Sequence, residues 1–189
     1  NFDIKRKHTS GNLLFLARIE KEKGIYIALD TFRILLRQYP KLLLTIAGDG
    51  SELLKAKEYV QKNEIPNIIF TGRISGDALQ NAFKNNSFYL FPTYYGEGMP
   101  TSTLEAMAFG QIIISRPVGG IKDFFEYEKM GFILDSMKPI DFAEKISDLI
   151  KNEDEIIKIS NYNYHYARNN FMASIVAQKI EHSIKKIII

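Results

Sequence analysis

Residues 12–47 read NLLFLARIEKEKGIYIALDTFRILLRQYPKLLLTIA. Two short apolar runs, 12–17 and 42–47, flank a segment in which Ile25, Ala28, Leu29, Phe32, Leu35 and Leu36 recur at the spacing of one helix face, and Pro40 follows as a stop signal. Runs this uniformly apolar suit strands covered on both faces, so the stretch predicts strand, helix, parallel strand. The unit then repeats. Strands are expected at 67–71, 88–92, 112–115 and 131–134. Helices are expected from an N-cap at Ser51 to about residue 63, around Leu79, Ala82 and Phe83, and around Leu104, Met107 and Ala108 with Gly110 as C-cap. Beyond Pro139 only helical patterns remain: 141–152, a short one at 160–168, and 173 to the end. The fold class predicted is α/β, a Rossmann-like parallel six-stranded sheet with helices on both faces and a C-terminal helical tail.

With 189 residues, 46% hydrophobic and 25% charged, the chain suits one globular domain with a sizeable core. The net charge of +3 owes much to the cluster Lys5-Arg6-Lys7, which reads either as a solvated linker or as a site for an acidic partner. There is no cysteine, which excludes disulfides and thiolate catalysis. No run approaches the roughly 18 apolar residues of a membrane span, and no signal peptide core is seen. Membrane contact is expected to be at most peripheral, with action in the cytoplasm, at the inner face of the cell membrane if at any membrane. Three scattered histidines (His8, His165, His182) and no carboxylates at ligand spacing give no reason to assign a metal.

In open α/β sheets ligands bind beyond the carboxyl ends of the strands, so the loops there are searched first. After the first strand, Arg18 and Lys23 flank a turn into a helix. As a forked donor and a point charge they suit a diphosphate; equally, they read as partners of Glu20 and Glu22 in a solvated loop. Gly48-Asp49-Gly50 follows the second strand but lacks the third glycine of a dinucleotide fingerprint, Leu53 standing there, so a tight turn is expected instead.

The loop after the fourth strand runs Tyr94-Tyr95-Gly96-Glu97-Gly98-Met99-Pro100-Thr101-Ser102-Thr103-Leu104-Glu105. Pro100 suits a first helical position, and the amides of Thr101, Ser102 and Thr103 would then face out of the helix mouth as an anion site. Glu97 and Glu105 would bracket different parts of one ligand, or else serve as a dipole partner and a surface charge. Gly119-Gly120 permits close backbone approach, to a ligand or in a plain turn. Asp123 and Glu126 read as solvated helix-start residues.

The spacing from Glu97 to Glu105, with Gly98, Pro100, Leu104, Ala106, Met107 and Gly110, resembles the E-x7-E signature of family 4 retaining glycosyltransferases. The Arg18-to-Gly24 turn, 47–50, Phe70-Thr71-Gly72-Arg73, Val118-Gly119-Gly120, Gly131-Phe132 and Ala167-Arg168 with Phe171 follow in the family's order, so the resemblance covers essentially the whole chain. It implies the C-terminal half of a GT-B enzyme: residues 1–11 as an interdomain linker, 12–172 as the donor domain, and 173–189 as a helix crossing back to an N-terminal acceptor domain. That helix carries an expected apolar stripe of Ile175, Val176, Ile180, Ile184 and Ile187.

By the resemblance the partner is a UDP- or GDP-linked sugar, no separate cofactor is needed, and nucleic acid is not a partner. Arg18 and Lys23 would bind the donor diphosphate, and Glu97 with the backbone of Gly98, Met99, Pro100 and Thr101 would hold the sugar, Ser102 lying in the same turn. Glu105 would accept from the ribose hydroxyls, and the base would rest on Arg73 and Ile74. Arg18, Lys23 and Glu97 form the implied catalytic set. The acceptor would be a glycan or glycolipid in cell-envelope or exopolysaccharide synthesis, bound mainly by the other domain, so this chain alone is expected to bind donor without turnover. Ala17 in place of glycine, Lys122-Asp123 in place of Pro-Glu, and Arg116 depart from the family pattern and bear on substrate detail. The alternative is a non-catalytic nucleotide-sugar-binding module. A nicotinamide-dependent oxidoreductase is rejected for want of the glycine fingerprint and its acidic ribose anchor.

Overall fold

In the computed structural model, which describes residues 11–96 and 98–188, the apolar runs form β1 (Leu13–Leu16), β2 (Leu44–Ala47), β3 (Ile68–Gly72), β4 (Phe88–Phe91), β5 (Ile112–Ser115) and β6 (Gly131–Ile133). Between and after them lie α1 (Ile25–Leu36), α2 (Leu53–Lys62), α3 (Gly76–Lys84), α4 (Thr101–Ala108), α5 (Pro139–Ile150), α6 (Glu153–Asn170) and α7 (Ala173–Ile188), with 3-10 turns at Lys21–Lys23 and Gly119–Asp123. All strand pairs are parallel, in the order β3-β2-β1-β4-β5-β6. The chain lays down β1 in the middle, winds outward to β3, then returns across β1 to build β4 to β6 on the other side. The predicted architecture is the one observed.

Side-chain alternation divides the core. Leu13 and Phe15, Leu44 and Ile46, Phe88 and Leu90, and Ile112 and Ile114 face one layer, where they pack with Phe32 of α1, Ala56 of α2, Phe142 of α5 and Ile156 of α6. Leu14, Tyr89, Phe91 and Ile113 face the other, with Phe83 of α3, Met107 of α4 and Ala167 of α6. Helix α6 therefore contributes to both layers. Strand β3 is the exception to full coverage: at this sheet edge Ile69 is 49% exposed.

Several boundaries differ from expectation, each for a local reason. Ser51 does not cap α2. The Glu52 amide is held by the Ile19 carbonyl at 3.0 Å and the Glu52 carboxylate by Tyr26 and Lys55, so the helix starts two residues later than Ser51. Helix α5 starts at Pro139, whose missing N–H is harmless there. Helix α6 spans 18 residues instead of the short segment expected. Its N-cap is Asn152, whose side chain accepts from the Glu155 amide at 3.1 Å, and Glu153, Asp154 and Glu155 suit the positive end of its dipole.

Glu126 is not at a helix start. It takes a hydrogen bond from Lys129 and one from Tyr162, which hold its carboxyl below the usual carboxylate range, and the Tyr162 bond ties the β5–β6 connection to α6. In α7, Val176, Ile180 and Ile184 share one exposed face, but Ile175 lies round the helix from them and is partly buried, so it does not belong to the expected stripe. Ile187 concerns a side chain outside those described. Residues 1–10 of the expected linker also lie outside them. Among the described residues no helix is long and apolar enough to cross a membrane.

Candidate functional site

The strand order reverses between β1 and β4, and the two part toward their carboxyl ends. Register is shared only at Leu13 with Phe88 and Leu14 with Tyr89, whereas β1 and β2 pair along four residues. This is the switch-point crevice of a doubly wound sheet. Inside it the buried Tyr89 hydroxyl is shared between the Leu16 carbonyl oxygen at 3.0 Å and Ser102 Oγ at 2.6 Å, which pins the first turn of α4 to the end of β1.

Two hollows abut there. One of about 210 Å³ is lined by Leu16, Ala17, Arg18, Lys23, Phe91, Met99, Pro100, Thr101 and Ser102. The other, about 360 Å³, is lined by Leu16, Ala17, Arg18, Ala47, Gly48, Asp49, Arg73, Ile74 and Ser102. Leu16, Ala17, Arg18 and Ser102 belong to both, so Arg18 stands at the junction. A larger hollow of about 510 Å³ runs along α6, but it is lined by Lys129, Lys158, Ile159, Asn161, Tyr162 and His165 and receives no strand end, so volume is the poorer guide here.

The structure thus brings together eight of the sequence-derived candidates: Arg18, Lys23, Arg73, Ile74, Met99, Pro100, Thr101 and Ser102. Gly98 and Glu105 line neither hollow. Glu105 lies one turn along α4 from Ser102, at the surface, yet partial burial of its carboxyl raises its pKa above the ordinary carboxylate value. Glu97, the third member of the implied catalytic set, lies outside the described residues.

Local chemistry explains the geometry. Arg18 is 57% exposed and paired with Glu20 at 2.9 Å, so the solvated-pair reading and the crevice position hold together. Lys23 is only 7% exposed, its ammonium lying over the Tyr95 ring. It is placed by Gly24, whose φ of +83° opens α1, and whose missing Cβ would sit 2.4 Å from the Pro92 carbonyl oxygen. Arg73 faces Asp49 at 3.8 Å across the second hollow, an exposed pair of little energetic weight.

Two expectations are corrected. Pro100 is the N-cap, with extended ψ, and α4 begins at Thr101. The Thr103 amide donates to the Pro100 carbonyl at 3.0 Å, so the helix-mouth set is reduced to Thr101 and Ser102. The tight turn expected at 48–50 forms, with the Leu53 amide donating to the Gly50 carbonyl at 3.1 Å, and the segment is also a seam, since the Ile19 amide donates to the Asp49 carbonyl at 2.9 Å and Gly50 lies against Ile19. As for Gly119-Gly120, the close approach is to a neighbouring loop: the Gly120 amide donates to the Gly98 carbonyl at 2.7 Å, and a Cβ on Gly120 would meet Met99. Sequence reasoning passed over Leu16, Tyr89 and Tyr95. A tyrosine among apolar strand residues, as at 89, was the one available signal that a buried hydroxyl needed a partner.

A parallel sheet wound both ways about a central β1, with its crevice at the β1/β4 switch point, defines a Rossmann-like domain. The family described as Glycosyl transferases group 1 matches residues 1–166, and the chain belongs to it. It is 25% identical over 169 residues to the capsular polysaccharide biosynthesis glycosyltransferase CapM of Staphylococcus aureus, covering 88% of this chain and 44% of CapM. Its fold is similar to the C-terminal domain of a group 1 glycosyl transferase, LpcC, from Francisella tularensis, with TM-score 0.76, 20% identity and 86% of each chain covered. It is also similar to the pneumococcal O-GlcNAc transferase GtfA, solved with UDP and GlcNAc, with TM-score 0.82, 21% identity, and coverage of 98% of this chain and 37% of GtfA. The architecture is accordingly that of the C-terminal Rossmann-like domain of a GT-B fold. The chain spans less than half the length of the first curated relatives it matches.

Proposed function

We propose that this chain is the donor-binding part of a retaining family 4 glycosyltransferase that moves a sugar from a nucleoside diphosphate onto a glycan or glycolipid. The observation that carries the reading is Arg18 at the junction of two hollows, with Lys23 and the mouth of α4 in one and Arg73 with Ile74 in the other. A nucleotide sugar has that same division. Its diphosphate belongs where cations and helix amides converge, and its nucleoside extends to one side. Arg18 and Lys23 take the diphosphate, Glu97 and the 98–101 backbone take the sugar, Glu105 the ribose and the Arg73–Ile74 edge the base. As the sugar–oxygen bond breaks, charge builds on the leaving diphosphate, and fixed positive groups stabilise it. Acceptor positioning falls to a second domain, so transfer is expected only from the whole protein.

Calorimetric titration of the chain with UDP, GDP and ADP tests the reading. Binding of UDP or GDP is expected, UDP preferred, and a clear preference for ADP would sink the nucleobase assignment. Absence of binding by all three would sink the reading itself.

Glu105 offers a sharper test. Its raised carboxyl pKa means the folded state holds the proton more tightly than the unfolded chain. That contribution to stability is fully present below the ordinary carboxylate pKa and is lost as pH rises through the folded value. At neutral pH the ionised carboxylate therefore costs stability. Glu105→Gln is expected to keep or raise Tm at pH 7 while weakening nucleoside diphosphate binding by roughly 1.5–3 kcal/mol, about ten- to a hundredfold. Glu97→Gln is expected instead to weaken binding of the sugar portion, read as a loss of preference for nucleotide sugar over plain nucleotide. Unchanged diphosphate affinity in Glu105→Gln would remove the ribose role.

A further inference from the structure

We propose that Tyr95 is a positioning residue for the donor diphosphate, its ring holding the Lys23 ammonium and the Arg18 guanidinium converged at the crevice; this rests on the nucleotide-sugar reading above. Lys23 Nζ lies 4.1 Å and Arg18 Cζ 5.7 Å from the centroid of the Tyr95 ring. Two like charges brought to one end of a strand repel each other. A π-face within about 6 Å of both attracts each of them and offsets that repulsion before any anion arrives.

The ring is itself held by backbone. The Glu22 carbonyl, in the turn that carries Lys23, accepts from the Tyr94 amide at 2.9 Å, the Tyr95 amide at 3.1 Å and Thr93 Oγ1 at 3.1 Å. Thr93 Oγ1 in turn accepts from the Tyr95 amide at 3.2 Å. These bonds join the loop after β4 to the loop after β1 across the switch point, 71 residues apart in sequence for the Thr93 contact. Tyr95 lines neither hollow, whereas Arg18 and Lys23 both line the smaller one. The face of the ring makes the contact, so phenylalanine should serve as well as tyrosine. The consequence is a division of labour in which Arg18 and Lys23 touch phosphate and Tyr95 sets where they stand.

The test compares wild type, Tyr95→Phe, Tyr95→Leu and Tyr95→Gln for binding of UDP (or GDP, if that is the nucleotide the wild type takes) and of the parent nucleoside, with Tm measured for each. Tyr95 is 43% exposed, and glutamine is included so that one ringless variant is compatible with solvent. Diphosphate affinity should stay within about twofold of wild type in Tyr95→Phe and fall about three- to thirtyfold in both ringless variants. Nucleoside affinity should be unchanged throughout. If wild type binds diphosphate and a folded ringless variant binds it equally well, the positioning role fails while the nucleotide-sugar reading stands. A loss in Tyr95→Phe as large as in Tyr95→Leu overturns the ring argument, as does an equal loss for diphosphate and nucleoside. If wild type binds no nucleotide at all, the failure belongs to the reading beneath.

Discussion

Gly48→Ala is expected to lower Tm by on the order of 10 °C or to prevent folding. Gly48 has φ of +139°, and an added Cβ would sit 1.9 Å from the Ala17 carbonyl oxygen. That oxygen belongs to backbone continuing the β1/β2 ladder, in which the Ala17 amide donates to the Ala47 carbonyl at 3.2 Å and the Ile19 amide to the Asp49 carbonyl at 2.9 Å. Gly48 itself donates to the Gly72 carbonyl at 2.8 Å, so it cannot swing away without losing β3. Backbone strain of this kind combined with a lost hydrogen bond between partly buried backbone groups places the cost in the rare range of about 4 kcal/mol or more. For a chain of this size each kcal/mol shifts Tm by roughly 2–4 °C. Gly96→Ala is the control: no atom lies within 4 Å of its would-be Cβ, and it should melt within about 2 °C of wild type. A Gly48→Ala protein that melts with wild type would show that the loops after β1 and β2 can separate, and the crevice wall they form would then be soft.

The second large effect is on binding. Lys23→Met is expected to weaken nucleoside diphosphate affinity about ten- to a hundredfold, from loss of one charge-assisted contact worth roughly 1.5–3 kcal/mol, while the retained apolar stem keeps the turn packed. Arg18→Ala should lose a similar amount at almost no cost in Tm, because the ion pair it forfeits with Glu20 is at the surface and worth at most about 1 kcal/mol. The double variant should fall short of the sum, since both cations act on one diphosphate. Raising ionic strength should weaken wild type more than either variant. Calorimetry at two salt concentrations, with the parent nucleoside as control, reads all of this. Equal losses for nucleoside and diphosphate would place the two cations elsewhere than on phosphate.

Much of the candidate site's lining was legible because loops after strands are named by the chain itself. Once β1 and β4 are recognised, Arg18, Lys23 and residues 100–102 follow from position and residue type, and Met99 from the family resemblance. Glu105 was readable as a partner to Glu97 only by spacing, and neither hollow includes it. The Thr103 amide looked available because helix-mouth donors usually are. The Pro100 carbonyl that takes it is a matter of one ψ angle, which residue type does not dictate. Of α6 the sequence reading found 160–168 and missed 153–159, where Asn152 as N-cap with Glu155 three residues on was the available signal. Asn163, in the part that was found, is buried. Its amide donates to the Gln111 and Met130 carbonyls at 2.8 Å each, anchoring the helix by hydrogen bonds where a periodic pattern would show an apolar residue.

The sequence by itself determined the alternation of six buried strands with helices, since a strand covered on both faces must be apolar throughout and a covering helix must be apolar on one side. It also put the candidate site residues at the carboxyl ends of strands. Only tertiary structure decided that β4 lies beside β1 and that the sheet opens between them. Strand order is a property of contacts between segments far apart in the chain, and no local pattern encodes which of several equally apolar strands will pair. From that order come the Tyr89 bridge to Leu16 and Ser102, the clamp of Thr93, Tyr94 and Tyr95 on Glu22, and the placing of Arg18 and Lys23 against one ring. Each joins residues that are ordinary where they stand in the sequence and acquires its meaning from the neighbour that the winding of the sheet supplies.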